Sequence, residues 1–151
     1  MKTIRWGIMS TAGIAKKHLV PAIRNSKSGE LAAVASRNLP KAETFASENG
    51  IPKAYGTYEE LLAAGDIDAI YCPLPTGMHA EWCMKCLDAG KPVLCEKPMS
   101  VHRREAEQVF RAFEDKGLLI SEAYMYLYHP LNLRVKSLVE SGRIGQLCSL
   151  Q

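Results

Sequence analysis

The sequence predicts a doubly wound α/β domain on a mainly parallel sheet, followed by the beginning of a second α/β domain. Short strand-like apolar runs alternate along the chain with stretches of helical periodicity. Parallel strands need a crossover between them, so such a series folds as βαβ units with helices on both faces of one sheet. Size and composition agree: 151 residues, 47% hydrophobic and 23% charged, suit one soluble domain with a sizeable core.

The strands are read at 4–9 (IRWGIM), 30–36 (ELAAVAS), 53–56 (KAYG), 68–73 (DAIYCP), 92–96 (PVLCE) and 118–123 (LLISEA). Helices are expected near 13–26, 40–49, 58–64, 77–89 and 102–116. In the last of these Ala106, Val109, Phe110 and Phe113 form an apolar stripe, Glu107 and Arg111 are one turn apart outside it, and Gly117 ends the helix. A further helix is expected over 131–145, and QLCSLQ at 146–151 reads as the start of a strand. The expected division is the doubly wound domain at 1–123 and the start of a truncated second domain at 124–151.

The formal charge is +3, with 19 Lys and Arg scattered among 16 acids, which argues against a nucleic-acid or membrane footprint. The N-terminal apolar run is too short for a signal peptide, and no segment reaches the roughly 18 apolar residues that cross a bilayer. A cytoplasmic protein is expected. The five cysteines, at 72, 83, 86, 95 and 148, lie mostly within apolar runs and read as reduced, buried thiols. Cys83 and Cys86 form a CxxC, but in mid-helix beside Met78, Trp82 and Leu87, where packing explains them better than redox chemistry. No metal site is expected.

The stretch WGIMSTAGIAKKHL has the outline of a glycine-rich nucleotide loop. In such loops the first glycine permits a tight turn, the second lets backbone approach a pyrophosphate, and the third lets helix and strand pack closely. Ser10, Ala12 and Ala15 occupy those places with Gly13 between them, and all are small enough to keep amides near a phosphate at a helix N-terminus. The loop alone is equally compatible with a plain strand-to-helix turn. The end of the second strand favours the nucleotide reading. NAD sites usually place an acid there for the ribose hydroxyls, whereas this chain has Ser36-Arg37-Asn38. A carboxylate would repel a 2'-phosphate; an Arg fork beside a hydroxyl and an amide suits one.

Three further stretches, PLPTGMHAEW, LDAGKPVLCEKP and EAYMYLYHP, together with RWGIMSTAGIA, resemble the Gfo/Idh/MocA oxidoreductase family, especially its NADP-dependent dihydrodiol and sugar dehydrogenase branch. The resemblance covers nearly the whole chain in order, and Glu96-Lys97-Pro98 is its most specific motif. It implies a Rossmann nucleotide domain followed by a larger α/β domain that carries the rest of the substrate pocket and often the oligomer interface. It also implies NADP, with NAD as the alternative cofactor, held by Ser10, Thr11, Ala12, Gly13 and Ile14 at the pyrophosphate and by Ser36, Arg37 and Asn38 at the 2'-phosphate. Leu74, Pro75, Thr76 and His79 would lie near the nicotinamide-side ribose, with Glu96 and Lys97 at the end of the fifth strand. Lys97 is the family's signature lysine, suited to steadying negative charge as a proton leaves an alcohol.

The implied reaction is hydride transfer between nicotinamide and a secondary alcohol or ketone of a sugar, cyclitol or dihydrodiol. Two departures bear on it. Leu127 stands where the family commonly has Arg, and the family's His or Tyr acid-base belongs to the second domain, so this chain alone is expected to bind cofactor but turn over poorly. His129-Pro130 reads as a pocket-edge or domain-junction feature. Alternative readings are a non-catalytic dinucleotide-binding module and a redox-sensing partner protein. A homo-oligomer is expected if the second domain is present.

Overall fold

The computed structural model describes residues 2–149. Six strands, β1 (Ile4–Met9), β2 (Gly29–Ala35), β3 (Lys53–Tyr55), β4 (Ala69–Cys72), β5 (Val93–Cys95) and β6 (Ile120–Glu122), form one sheet in the order β3-β2-β1-β4-β5-β6, parallel at every pairing. Between them lie α1 (Val20–Arg24), α2 (Leu39–Glu48), α3 (Tyr58–Ala63), α4 (Thr76–Asp88) and α5 (Arg103–Asp115), with α6 (Pro130–Glu140) after the sheet. This is the expected doubly wound Rossmann architecture.

Alternate residues of each strand feed two cores. Ile8, Val34 and Tyr71 pack with Ala15, Val20, Ile23 and Phe45 on the α1–α2 face. Met9, Ala33, Ile70, Cys72 and Cys95 pack with Leu61, Trp82, Val109 and Phe113 on the α3–α5 face. The helices start on local signals. Asn38 caps α2 by accepting from Lys41 N at 3.0 Å, and Thr57 and Glu60 form a reciprocal capping box on α3. Gly117, at φ 64°, ends α5 as expected.

Several details differ from the sequence expectation. Glu107 pairs with Arg103, not Arg111, at 2.7 Å. Both partners are one turn away, and the earlier one approaches from the N-terminal side of the helix. Phe110 is 38% exposed, at the margin of the stripe that Val109 and Phe113 bury. The first helix contains a π-helical turn, Ala15–Leu19, before α1. α6 ends at Glu140 and the chain then turns, with Gly142 and Gly145 at φ 68° and 74°. Residues 146–149 form no strand; the last two residues of the expected one lie outside the described residues.

β1 and β4 are neighbours whose following helices leave to opposite faces. At their amino ends they are pinned: Asp68 accepts from Arg5 N at 2.9 Å, Nε at 2.8 Å and a terminal guanidinium nitrogen at 2.9 Å, which holds its carboxyl well below the usual range. Gly7 lets β1 lie against α3, since a Cβ there would meet Leu61, Ile67 and Ile70 at 3.0 Å. At the carboxyl end Ser10 turns the chain with φ 126°, a region that disfavours any side chain. Its hydroxyl accepts from Ala12 N at 3.2 Å and donates to Pro73 O at 3.4 Å.

Ser10→Gly should leave the urea midpoint unchanged or raised, because relief of the positive φ offsets the lost hydroxyl bonds. Ser10→Val should destabilise by about 1–3 kcal/mol; equal stability of the two variants would contradict the strain. Cys72, Cys83, Cys86 and Cys95 are all fully buried while Cys148 is exposed. A thiol reagent should therefore modify Cys148 at once and the other four only as the protein unfolds; rapid native-state labelling of Cys83 or Cys86 would show that their helix face is not core.

Candidate cofactor-binding site

Strand order reverses between β1 and β4, and in open α/β sheets the crevice outside the carboxyl ends at such a point takes ligands. Here it is a cleft of about 760 Å³. The turns after β1, β2 and β4 supply Ser10, Thr11 and Ala12, then Ser36, Arg37 and Asn38, then Leu74 and Pro75. Eight residues expected from the sequence thus share one cavity.

The loop after β1 enters its helix at once, with Ala15 N bonded to Ala12 O at 3.0 Å. The first-turn amides of Gly13 and Ile14 have no carbonyl one turn earlier to satisfy them, and such groups bind anions. Gly13 opens onto an adjoining hollow of about 410 Å³ with Thr11, Lys16 and Lys41; a Cβ there would meet nothing within 4 Å. Ala15 is fully buried, so the third small position does the helix-packing job.

On the β2 side, Ser36 Oγ accepts from Asn38 N at 3.3 Å, which leaves its hydroxyl hydrogen free to donate. Asn38 also spends its side-chain oxygen on the α2 cap. Arg37 is exposed and lines the cleft together with Tyr58. Burial raises the Tyr58 phenol above its ordinary value, against the opposing effect of the Arg37 guanidinium. Lys41 completes the pair of cations, and the residues that line the cleft include no carboxylate. Lys41 is not among the residues expected from the sequence. Its signal was the Asn38 cap, which sets the start of α2 so that residue 41 follows Arg37 by one turn.

The remaining expected residues take different positions. Thr76 opens α4 next to Pro75. His79 does not line the cleft: it is 1% exposed, with Nδ1 2.8 Å from Pro98 O and Nε2 2.6 Å from Leu74 O. Glu96 accepts from Tyr71 OH at 2.6 Å and faces a groove of about 350 Å³ with Ile14, His18 and Tyr128. Desolvation, with the Glu96 bond next, pushes the Tyr71 phenol up. Lys97 is exposed, precedes a cis proline, and lines a separate hollow with Tyr124, Tyr126 and His129. His129 Nδ1 accepts from Leu131 N at 3.2 Å, which makes it the cap of α6.

Comparison with known proteins agrees with this geometry. Residues 4–124 match the family described as oxidoreductase family, NAD-binding Rossmann fold. The chain is 48% identical over 145 residues to D-xylose 1-dehydrogenase (NADP(+)) 2 of Haloferax volcanii, covering 96% of this chain and 44% of that protein. It is 36% identical over 146 residues to the trans-1,2-dihydrobenzene-1,2-diol dehydrogenase of Bos taurus, covering 95% and 43%. Among solved structures, a 3-ketoreductase from Actinomadura kijaniata in complex with NADP superimposes with a TM-score of 0.87 at 38% identity, over 96% of this chain and 46% of that one. The chain thus spans less than half the length of these relatives. No helix among the described residues is long and apolar enough to cross a membrane. With the strand order, the switch-point cleft and a family match over residues 4–124 in agreement, the chain belongs to the Gfo/Idh/MocA family of NAD(P)-dependent oxidoreductases and carries its Rossmann domain.

Proposed function

We propose that this chain is the cofactor-binding part of a cytoplasmic, NADP(H)-dependent dehydrogenase or reductase acting on a secondary alcohol or ketone of a sugar-like or cyclic diol substrate. The observation that carries the cofactor assignment is the cleft wall after β2, which offers Ser36, Arg37 and Lys41 and no acid. The chemistry fits a dianionic 2'-phosphate: Arg37 can bind it bidentately and Lys41 adds a point charge. The amides of Gly13 and Ile14 and the small residues Ser10, Thr11 and Ala12 would hold the pyrophosphate, with Asn38 shaping the 2'-phosphate end through its cap. Leu74, Pro75 and Thr76 would border the nicotinamide-side ribose, and His79 would support that border from behind. The bound cofactor supplies hydride transfer at nicotinamide C4.

Lys97 is the residue proposed to meet substrate. Its exposed ammonium can bond a hydroxyl and steady developing negative charge, and Glu96, bonded to Tyr71, fixes the strand end from which Lys97 projects. Support for the substrate class comes from relatives named for D-xylose, dihydrodiol and dTDP-sugar substrates. The division at 124, the second domain and homo-oligomerisation through it belong to the same reading.

Calorimetric titration tests the cofactor. NADPH should bind more tightly than NADH, and Arg37→Ala should erase about tenfold or more of that preference, since a hydrogen bond to a charged group contributes roughly 1.5–3 kcal/mol. Equal affinities, or a preference that survives the substitution, would remove Arg37 from the 2'-phosphate. With a panel of aldoses, inositols and dihydrodiols, this chain should turn over about a hundredfold to ten-thousandfold below an enzyme with a placed general base. Turnover near one per second, lost in Lys97→Ala, would mean that the base lies within these residues.

A further inference from the structure

The two ring nitrogens of His79 both face carbonyl oxygens, Nδ1 that of Pro98 at 2.8 Å and Nε2 that of Leu74 at 2.6 Å. Carbonyl oxygens only accept hydrogen bonds, and Pro98 has no amide hydrogen to offer instead. A neutral imidazole has one N–H, so either neutral tautomer would set a nitrogen lone pair against an oxygen lone pair at a residue that is 1% exposed. Two hydrogen bonds need two N–H groups. We propose that His79 is a positioning residue: a buried imidazolium whose two N–H groups clamp the turn that carries Lys97 to the turn that carries Leu74.

Cys83 follows His79 by one turn of α4, Cys72 ends β4 and Cys95 ends β5 beside it in register. The turn after β5 adds Lys97, which is exposed, and Met99, whose amide donates to Glu122 at 2.7 Å. Among the described residues no carboxylate pairs with the ring. The negative character that faces the ring is that of the two carbonyl oxygens, Pro98 O on Nδ1 and Leu74 O on Nε2. The first turn of α4 opposes a cation here; two short ion–dipole contacts offset it.

The consequence rests on the function proposed above, in which Leu74–Thr76 border the nicotinamide side and Lys97 meets substrate. The clamp makes those two turns one rigid unit without the ring touching either ligand.

The test uses the ¹⁵N-labelled chain with no cofactor, so it succeeds or fails independently of NADP binding. Imidazole-selective ¹⁵N–¹H spectra near neutral pH should show two slowly exchanging ring N–H groups for His79; one N–H and one bare nitrogen would overturn the proposal. His79→Gln can donate to only one of the two carbonyls through its amide. Amide exchange at Met99 should then rise about tenfold while the β4 amides stay as they are. Unchanged exchange at Met99 in the folded variant would overturn the clamp. If the variant does not fold, the ring signals of the parent chain still decide.

Discussion

The structure turns on one topological constraint: β1 and β4 lie side by side while the chain leaves them toward opposite faces of the sheet. Their amino ends are locked by the Arg5–Asp68 fork, so the strands are held in register where no ligand is needed. At the carboxyl ends nothing can fill the space between the departing loops, and the crevice remains. Everything proposed to touch a phosphate is a consequence of how the chain escapes from that edge. Ser10 must reverse direction at once, Ala12 must leave the approach clear, and Ala15 must let the helix settle on the sheet, which it does with no exposed surface.

This constraint was legible in the sequence because it is expressed as residue size. The alternation of strands and helices set the sheet, and three small residues in place of three glycines marked the turn. What could not be read was which conformation each small residue would take. Ser at position 10 gives no hint of a φ of 126°, because the bond its hydroxyl donates to Pro73 exists only once β4 is alongside. Lys41 was hidden for a related reason: its side chain reaches the cleft only because Asn38 fixes where α2 begins. His79 follows the Leu74–Thr76 turn closely in sequence, but its bond to Pro98, nineteen residues away, exists only in the fold.

The Glu96-Lys97-Pro98 segment shows how one short motif serves three surfaces. Glu96 turns to the α1 side and binds Tyr71, Lys97 projects into the hollow beside Tyr124 and His129, and Pro98 presents its carbonyl to His79 on the α4 side. A residue pattern read along the chain shows that such a segment is special, whereas the division of labour comes from a strand end that sits between two cores. The same asymmetry leaves the β5–β6 end of the α1 face as an open groove, with Leu94 and Tyr128 among its walls, because α1 and α2 both lie over the other half of the sheet.

In the function proposed above, the switch-point cleft takes a dinucleotide with its pyrophosphate on the Ser10–Ile14 turn and its 2'-phosphate on the Ser36–Lys41 side. Residue-resolved amide exchange of the 151-residue chain, with and without saturating NADP+, tests it most directly. Exchange should slow at 10–14 and 36–41, with α6 and the groove around Tyr128 unchanged. Binding that leaves 10–14 and 36–41 unprotected, or that protects only the groove beside Glu96 and Tyr128, would contradict it.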